Sequence, residues 1–461
     1  MALIGAYIVP HPPLIVNEIG RGEQLQIQKT IDAYQVVAKQ IAELKPDTII
    51  LSTPHSVLYS DYFHISPGKS AEGDFRMFGA PSVKMKVDYD TDLVSLMISN
   101  AQKYHIEAGT SGQKDKSLDH GTMVPLYFVN QYYQSYKLVR ISLSGFSPLV
   151  HYRYGKAIEE AINQSDKKVI WIASGDLSHK LKKDGPYGLS KEGPIFDQEI
   201  TESISEGNFM KLLTFDEDFC EKAAECGLRS FIMMSGALDG KKVESNLLSY
   251  EGPFGVGYAV ASFKILGFDE SRHFDQIYEA NEEKKLNLIK KDEDAFVSLA
   301  RQSLEYFIKY GKPLKRPYDL PDELINEKAG VFVSIKMDER LRGCIGTIHP
   351  TTHCIADEII QNAISSGTQD YRFNSVSERE LPYLVYSVDV LGQPELIQSI
   401  DELDVKRYGV IVRFGGKSGL LLPNLEGIDT PEEQVSIALR KGGIKEDYPY
   451  TMQRFEVVRH K

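Results

Sequence analysis

The chain has 461 residues, a formal net charge of −12 and only four cysteines. This is longer than the chain that one hydrophobic core ordinarily supports, so two or three domains are expected. The negative charge argues against a nucleic-acid binder that works by broad phosphate neutralisation. Four cysteines without a CxxC pair argue against a disulfide framework and favour a reducing, cytoplasmic compartment. No run reaches the roughly 18 apolar residues of a membrane span, so no membrane association is expected.

Strand-like and helix-like segments alternate over residues 1–267, which predicts an α/β domain around a mixed or parallel sheet. The apolar run "LIGAYIV" predicts a buried first strand rather than a signal peptide, because no basic residue precedes Arg21. A helix over about 27–44 and a strand in "DTIILSTPH" follow. Later segments predict helices near 92–104 and 149–163, strands in "KLVRISLS" and "KVIWIASGD", and a closing hairpin in "LLSYEGPFGVGYAVASFKIL".

The composition changes near residue 268. Residues 268–290 are charged and poor in apolar side chains, which predicts a solvated helix or an interdomain linker. Residues 291–461 then contain an amphipathic helix, the strand-like runs "AGVFVSIKM" and "YLVYSVDVL", and a Gly-rich turn. We therefore expect a separate C-terminal domain of the α+β class over 291–461.

Two histidines occupy equivalent places, since His11 and His55 each follow a predicted strand and a proline. Ligands of open parallel sheets bind beyond the carboxyl ends of the strands, so two imidazoles delivered there are candidates to share a metal ion. The alternative is that each is a loop histidine making a local hydrogen bond. The repeated strand–Pro–His pattern favours the shared site.

Three later segments supply further polar side chains. "SLDHGTMVPL" places His120 before an apolar helix, and "SGDLSHK" places Asp176 and His179 after a buried strand. "ECGLRSFIMM" begins another apolar helix at Glu225. Two histidines and one carboxylate form the facial arrangement that non-haem Fe(II) prefers. The alternatives are a turn or cap role for Asp176 and a solvated helix position for Glu225.

These segments carry a family resemblance. In this order, "VPHPPLI", "STPHS", "LDHGTMVPL", "SGDLSHK" and "ECGLRSFIMMSGAL" resemble the class III extradiol ring-cleavage dioxygenases and the related Memo family. The resemblance implies a mononuclear Fe(II) bound by His11, His55 and Glu225. Memo relatives carry a cysteine in the third place, which makes Cys226 the alternative ligand, while Glu251 is a weaker one. Zinc or another divalent metal stays open.

The same resemblance implies roles for the other residues. His179 is expected to act as the acid/base group and His120 to contact substrate or oxygen. Asp176 is expected either to orient His179 or to support the metal ligands from behind. The implied reaction is ring cleavage of a small aromatic substrate by dioxygen. A metal-dependent enzyme that does not use oxygen, or a scaffold protein, remains an alternative.

The C-terminal domain has its own candidate site in "LRGCIG", with Arg342, Gly343 and Cys344. A thiol in a turn before a helix beginning near Thr352, beside an arginine, favours a nucleophilic cysteine. The alternative is a Gly-rich turn around a small buried sulfhydryl.

"LRGCIG", "DYRFNSV", "YSVDVL" and "GLLLPN" together resemble the AMMECR family. Asp370, Arg372 and Phe373 match its D-x-R-F pattern. The resemblance implies a two-part α/β domain and, through the microbial grouping of AMMECR, Memo and radical-SAM proteins, a radical-SAM partner protein. The sequence leaves the oligomeric state open, and a homo-oligomer is one of the states considered.

Overall fold

The computed structural model describes residues 2–112, 117–337, 340–425 and 427–461. The chain divides into two compact units, residues 1–280 and 281–461. Within the described residues, no helix is both long enough and apolar enough to cross a membrane.

The first unit contains ten strands and ten helices within its described part. The strands are β1 (Leu3–Val9), β2 (Thr48–Thr53), β3 (Phe63–His64), β4 (Ser70–Phe75), β5 (Ala80–Asp88), β6 (Ala108–Gly109), β7 (Lys137–Ser142), β8 (Val169–Ser174), β9 (Lys241–Glu251) and β10 (Tyr258–Phe268). The helices are α1 (Asn17–Gly20), α2 (Gln28–Leu44), α3 (Thr91–Lys103), α4 (His120–Val129), α5 (Pro148–Asn163), α6 (Glu192–Glu206), α7 (Phe209–Leu213), α8 (Glu217–Ala223), α9 (Leu228–Ala237) and α10 (Phe274–Asp292), which contains the boundary between the units.

The main sheet of this unit has the strand order β7-β2-β8-β1-β10-β9. Strands β7, β2, β8 and β1 are parallel, and the β9–β10 hairpin adds two antiparallel strands beside β1. The predicted mixed or parallel α/β fold and its closing hairpin are therefore confirmed. The charged segment predicted as a linker or solvated helix lies largely within α10.

Both faces of the sheet are buried along its four parallel strands, which explains the continuous apolar runs of these strands. In β1, Ala6 and Ile8 join the core that contains side chains of α3, α5 and α9. Tyr7 and Val9, on the opposite face, join the core that contains side chains of α2 and α4. Because β1, β2 and β8 are parallel, the loops after all three leave the same edge of the sheet.

The second unit is built on an antiparallel sheet. Its strands are β11 (Val331–Met337), β12 (Arg340–Gly346), β13 (Leu384–Leu391), β14 (Glu395–Ile397), β15 (Tyr408–Phe414), β16 (Lys417–Leu421) and β17 (Thr451–His460). They follow the order β12-β11-β13-β17-β15-β16, and β14 also pairs with β17. The helices are α11 (Ala295–Tyr310), α12 (Asp322–Asn326), α13 (Ile355–Thr368) and α14 (Pro431–Gly442).

Two cores divide this unit into two parts. Side chains of α11 and α13 pack with β11 and β13, and side chains of α14 pack with β15 and β16. Strand β17 links the two, because its last residues pair with β13 and its first residues pair with β14 and β15. The predicted α+β class of the C-terminal part is confirmed.

Candidate metal centre

Three potential metal ligands meet at the carboxyl edge of the main sheet. His11 follows β1, His55 follows β2 and Cys226 directly precedes the N-cap of α9. Their ligand atoms all lie within 4.8 Å of one another. The Nε2 atoms of His11 and His55 are 2.9 Å apart, and the Cys226 Sγ lies 3.6 Å from the His11 Nε2.

These separations fit donors that share one ion. Two nitrogens at about 2.1 Å from a metal, at an angle near 90°, lie about 3.0 Å apart. A nitrogen at about 2.1 Å and a sulfur at about 2.3 Å, at a near-tetrahedral angle, lie about 3.6 Å apart. The residues present therefore suit a single divalent cation.

Hydrogen bonds select the ring nitrogen that His11 presents. Its Nδ1 lies 2.9 Å from the Ser174 Oγ, and that hydroxyl donates to the Gly121 carbonyl oxygen at 2.6 Å. Because Ser174 has only one hydrogen to donate, its oxygen accepts from the Nδ1–H of His11. The His11 Nε2 is then unprotonated and faces His55 and Cys226, as a metal ligand requires.

The family resemblance implies Glu225 as the third ligand, but the structure does not bring its carboxylate to the cluster. Its carboxylate accepts the Leu228 N–H at 2.7 Å and so satisfies an amide at the start of α9. Glu251 is also occupied elsewhere, since it accepts both the N–H and the hydroxyl of Thr30. The Sγ of Cys226, the alternative, is instead the third potential donor atom of the cluster.

A contact between two glycines allows the sulfur to reach this position. A Cβ on Gly175 would lie 2.1 Å from the Gly227 Cα. The loop after β8 and the segment before α9 can therefore touch through their backbones. In this arrangement the Asp176 N–H donates to the Cys226 Sγ at 3.3 Å.

The remaining predicted residues surround the same cluster. The His120 ring centroid lies 4.0 Å from that of His55 and 5.4 Å from that of His11. Asp176 accepts the His11 N–H at 2.8 Å through Oδ1, which fixes the backbone of the first histidine. His179 stacks on the largely exposed ring of Tyr187 at 5.1 Å.

Burial sets the charge state of these groups. It lowers the pKa of His11, His55 and His179, and it lowers the pKa of His120 to about 4. Burial also raises the pKa of the Cys226 thiol, with the nearby Asp176 as the second cause. Without a cation, the centre thus favours neutral imidazoles and a neutral thiol. A bound divalent ion would bring positive charge to the centre and favour the thiolate form of Cys226.

Sequence reasoning missed Ser174 and Tyr187. Ser174 is the last residue of β8, so its signal is a polar residue at the carboxyl end of a buried strand, the same signal that pointed to the histidines. Tyr187 lies 8 residues after His179 in a loop, and nothing in the local pattern predicts their stacking.

Asp197 is a further missed residue that supports this edge of the sheet. It is only 1% exposed, and its carboxylate accepts the Ser178 N–H at 2.8 Å and the Tyr250 hydroxyl at 2.7 Å. Gly257 makes room for it, because a Cβ there would lie 2.0 Å from its Oδ2. Asp197 thereby anchors the loop that carries Asp176 and His179.

We expect the Asp197→Asn variant to become progressively more stable than the wild type as the pH rises. Burial raises the pKa of Asp197 to about 7, whereas an unfolded aspartate titrates near about 3.9. The folded wild type therefore holds an extra proton in this window and loses stability from about pH 4 to pH 7. Measured by urea unfolding, the free energy of unfolding of the variant relative to the wild type should rise by about 4 kcal/mol from pH 4 to pH 8. A pH-independent difference would contradict this.

In the second unit, Cys344 does not lie in a turn before a helix. It lies inside β12 and pairs with Ser334 of β11, whose hydroxyl is 3.2 Å from its sulfur. The next helix, α13, begins only at Ile355, and its C-terminal turn is the part that contacts this strand. A Cβ on Gly343 would lie 2.1 Å from the Ser366 carbonyl oxygen. The predicted turn before a helix N-terminus is therefore wrong.

The D-x-R-F residues hold the backbone of Cys344. Asp370 accepts the Cys344 N–H at 2.9 Å, and Arg372 donates to the Cys344 carbonyl oxygen at 3.3 Å while pairing with Asp370 at 2.6 Å. Arg342 pairs with Glu380 at 2.7 Å. Because β12 ends the sheet, the contacts from Asp370 and Arg372 satisfy backbone groups of Cys344 that an edge strand would otherwise expose.

The fold and the site together place the first unit in a structural class, that of α/β domains with a candidate metal centre at the carboxyl edge of a largely parallel sheet. Residues 5–261 match the family described as the catalytic LigB subunit of aromatic ring-opening dioxygenase, and residues 297–460 match the AMMECR1 family. The chain belongs to the LigB family and carries an AMMECR1 domain after it. Both family resemblances drawn from the sequence motifs are confirmed.

Several proteins are similar to all or to a portion of the chain. A protein of Clostridium acetobutylicum is 42% identical over 471 residues, and the match covers 100% of each chain. A protein of Thermotoga maritima is 47% identical over 171 residues, which are 37% of this chain and 98% of that protein. The crystal structure of protein PH0010 from Pyrococcus horikoshii is similar to 36% of this chain and 88% of its own, at 35% identity and a TM-score of 0.33.

Proposed function

We propose that this chain is a metal-dependent oxidoreductase of the extradiol dioxygenase type, which opens a small hydroxylated aromatic ring with dioxygen. The observation that carries the proposal is the convergence of His11, His55 and Cys226 within 4.8 Å in a LigB-family domain. Fe(II) is the proposed metal, held by these three residues.

Bound Fe(II) would supply coordination of the substrate oxygens and redox chemistry with dioxygen. The chain's own residues supply proton handling and orientation. Burial lowers the pKa of His179, so its imidazole is neutral at pH 7 and can take a proton from a substrate hydroxyl. Its stacking on Tyr187 restricts the ring orientation. His120, also neutral at that pH, presents a second polar group beside His55.

The decisive experiment measures oxygen uptake by the full chain, purified without oxygen and loaded with Fe(II). We expect a panel of catechols to include a substrate that consumes oxygen in a 1:1 ratio and forms a ring-opened product. The His179→Ala variant should keep its metal and lose about 10²–10⁴-fold in rate, the usual contribution of a general acid or base. Absence of oxygen uptake across the panel in a fully loaded protein would contradict the proposal.

A second candidate is a metal-dependent enzyme that does not use oxygen. The specific observation that favours it is the sulfur of Cys226 in the third position, because thiolate ligands suit softer metals such as zinc better than a carboxylate does. Turnover of the same substrates under nitrogen, with Zn(II) as effective as Fe(II), would select this candidate over the dioxygenase.

A further inference from the structure

An ion pair between a fully buried arginine and a largely buried aspartate lies next to the histidines of the candidate metal centre. Arg140, on β7, is 0% exposed, and its Nη1 lies 3.1 Å from the Asp119 Oδ2. We propose that Arg140 is a positioning residue for the metal centre, acting through Asp119 on the segments that carry both histidines. This inference rests on the proposed metal site and extends it to a residue outside the ligand set.

The guanidinium of Arg140 is fixed from several directions. Its Nε donates to the Ser66 hydroxyl at 2.6 Å, and its Nη1 donates to the Ser117 carbonyl oxygen at 2.8 Å as well as to Asp119. A buried charge is costly unless it is paired and hydrogen-bonded, and here these bonds meet that need. Arg140 therefore holds Asp119 in one place.

One branch of hydrogen bonds runs from Asp119 to His55. The Thr53 hydroxyl donates to the Asp119 Oδ1 at 2.8 Å, and the same Thr53 oxygen accepts the His55 N–H at 3.2 Å. Thr53 is the last residue of β2, so this chain of contacts fixes the backbone at the point where the strand ends. The orientation of His55 thus depends on the position of Asp119.

A second branch runs from Asp119 to His11. Asp119 is the N-cap of α4 and accepts both the N–H and the hydroxyl of Thr122, at 3.0 and 2.8 Å. The first turn that it holds contains Gly121, whose carbonyl oxygen accepts the Ser174 hydroxyl. Ser174 in turn accepts the Nδ1–H of His11. The cap therefore helps to set which nitrogen of His11 faces the metal.

The two branches meet at Gly121, where the packing leaves no room for a side chain. A Cβ on Gly121 would lie 2.4 Å from the Thr53 Oγ1, 3.0 Å from the Asp119 Oδ1 and 3.3 Å from the His55 Cδ2. In so tight a junction, a shift of Asp119 must displace Thr53 or the first turn of α4. A change at Arg140 is thus expected to reach both histidines.

The competing explanation is that Arg140 only stabilises the fold. Lys156 provides a matched control, because it forms ion pairs with Asp239 at 3.0 Å and Asp275 at 2.8 Å in the same unit. These ion pairs include no residue of the two branches. Lys156→Met should therefore destabilise the unit without changing the metal centre.

The test is a titration of the metal-free full chain with Co(II), whose visible absorption reports coordination. Arg140→Met is expected to weaken Co(II) binding by about 10–100-fold and to alter the absorption bands, whereas Lys156→Met leaves both unchanged. Arg140→Lys, which keeps the charge, should recover part of the affinity. Thr53→Val, which keeps the ion pair and cuts only the branch to His55, should weaken binding by about 10-fold.

Wild-type affinity and spectrum in a folded Arg140→Met variant would overturn the inference, as would equal weakening in Lys156→Met. If Arg140→Met does not fold, unchanged Co(II) binding in Thr53→Val would overturn it. A wild-type chain that takes up no Co(II) would instead contradict the proposed metal centre itself, so the two failures are distinguishable.

Discussion

Replacing His11 with alanine is expected to abolish stoichiometric metal binding, with a loss of affinity greater than about 100-fold. This exceeds the usual cost of removing a residue that only supports a ligand, because a donor atom itself is lost. The His55→Ala and Cys226→Ala variants should behave in the same way. Metal content after anaerobic loading with Fe(II), measured by elemental analysis, checks the result.

Two controls separate ligands from neighbours. His179→Ala should retain the metal, because His179 is outside the cluster of three donor atoms. Glu225→Gln should also retain it and cost at most about 1 kcal/mol in stability, because the amide oxygen of glutamine can still accept the Leu228 N–H. Loss of metal in Glu225→Gln together with retention in Cys226→Ala would reverse the assignment of the third ligand.

Replacing Gly155 with alanine is expected to destabilise the first unit by on the order of 3 kcal/mol or more. Helices α5 and α9 approach so closely that a Cβ on Gly155 would lie 1.9 Å from the Met233 carbonyl oxygen, and one on Gly236 would lie 1.9 Å from the Tyr152 carbonyl oxygen. Neither backbone can yield without moving a helix, which makes overpacking costly here. Urea unfolding followed by circular dichroism measures the effect.

The consequence reaches the metal centre, because Cys226 lies just before α9. Displacement of that helix should weaken Co(II) binding in the Gly155→Ala variant. The control is Gly5→Ala, where the nearest atom to the new Cβ is the terminal Cδ1 of Leu44 at 3.2 Å, which can shift. Gly5→Ala should change stability by less than about 1 kcal/mol. Equal stability of both variants would contradict the role of this helix contact.

Much of the fold follows from local patterns. The runs "LIGAYIV" and "KVIWIASGD" predict β1 and β8, because a strand buried on both faces needs continuous apolar side chains. The helices predicted near 92–104 and 149–163 are α3 and α5, within one residue at each end. The same reasoning fails around Cys344, where the glycines predict a turn. In the structure Gly343 permits close packing of β12 against α13, and Gly346 permits close packing against β11.

The candidate metal centre, too, could be predicted only in part from the sequence. His11 and His55 could be found from the sequence, since strands with the same pattern in a parallel sheet release their loops at one edge. The choice between Glu225 and Cys226 as the third ligand could not be made from the sequence. Adjacent residues point in different directions, and which one faces the histidines depends on the backbone contact between Gly175 and Gly227.

The amino-acid sequence alone determined that this protein has two parts, an α/β domain with strand-end histidines and an α+β domain that carries the "LRGCIG" motif, because periodicity and motifs are local properties of the chain. Only the tertiary structure decided that a sulfur completes the cluster, that Ser174 selects the ring nitrogen of His11, and that Arg140 lies behind both histidines. Those contacts join residues far apart in sequence, and their geometry depends on how closely the backbones pack.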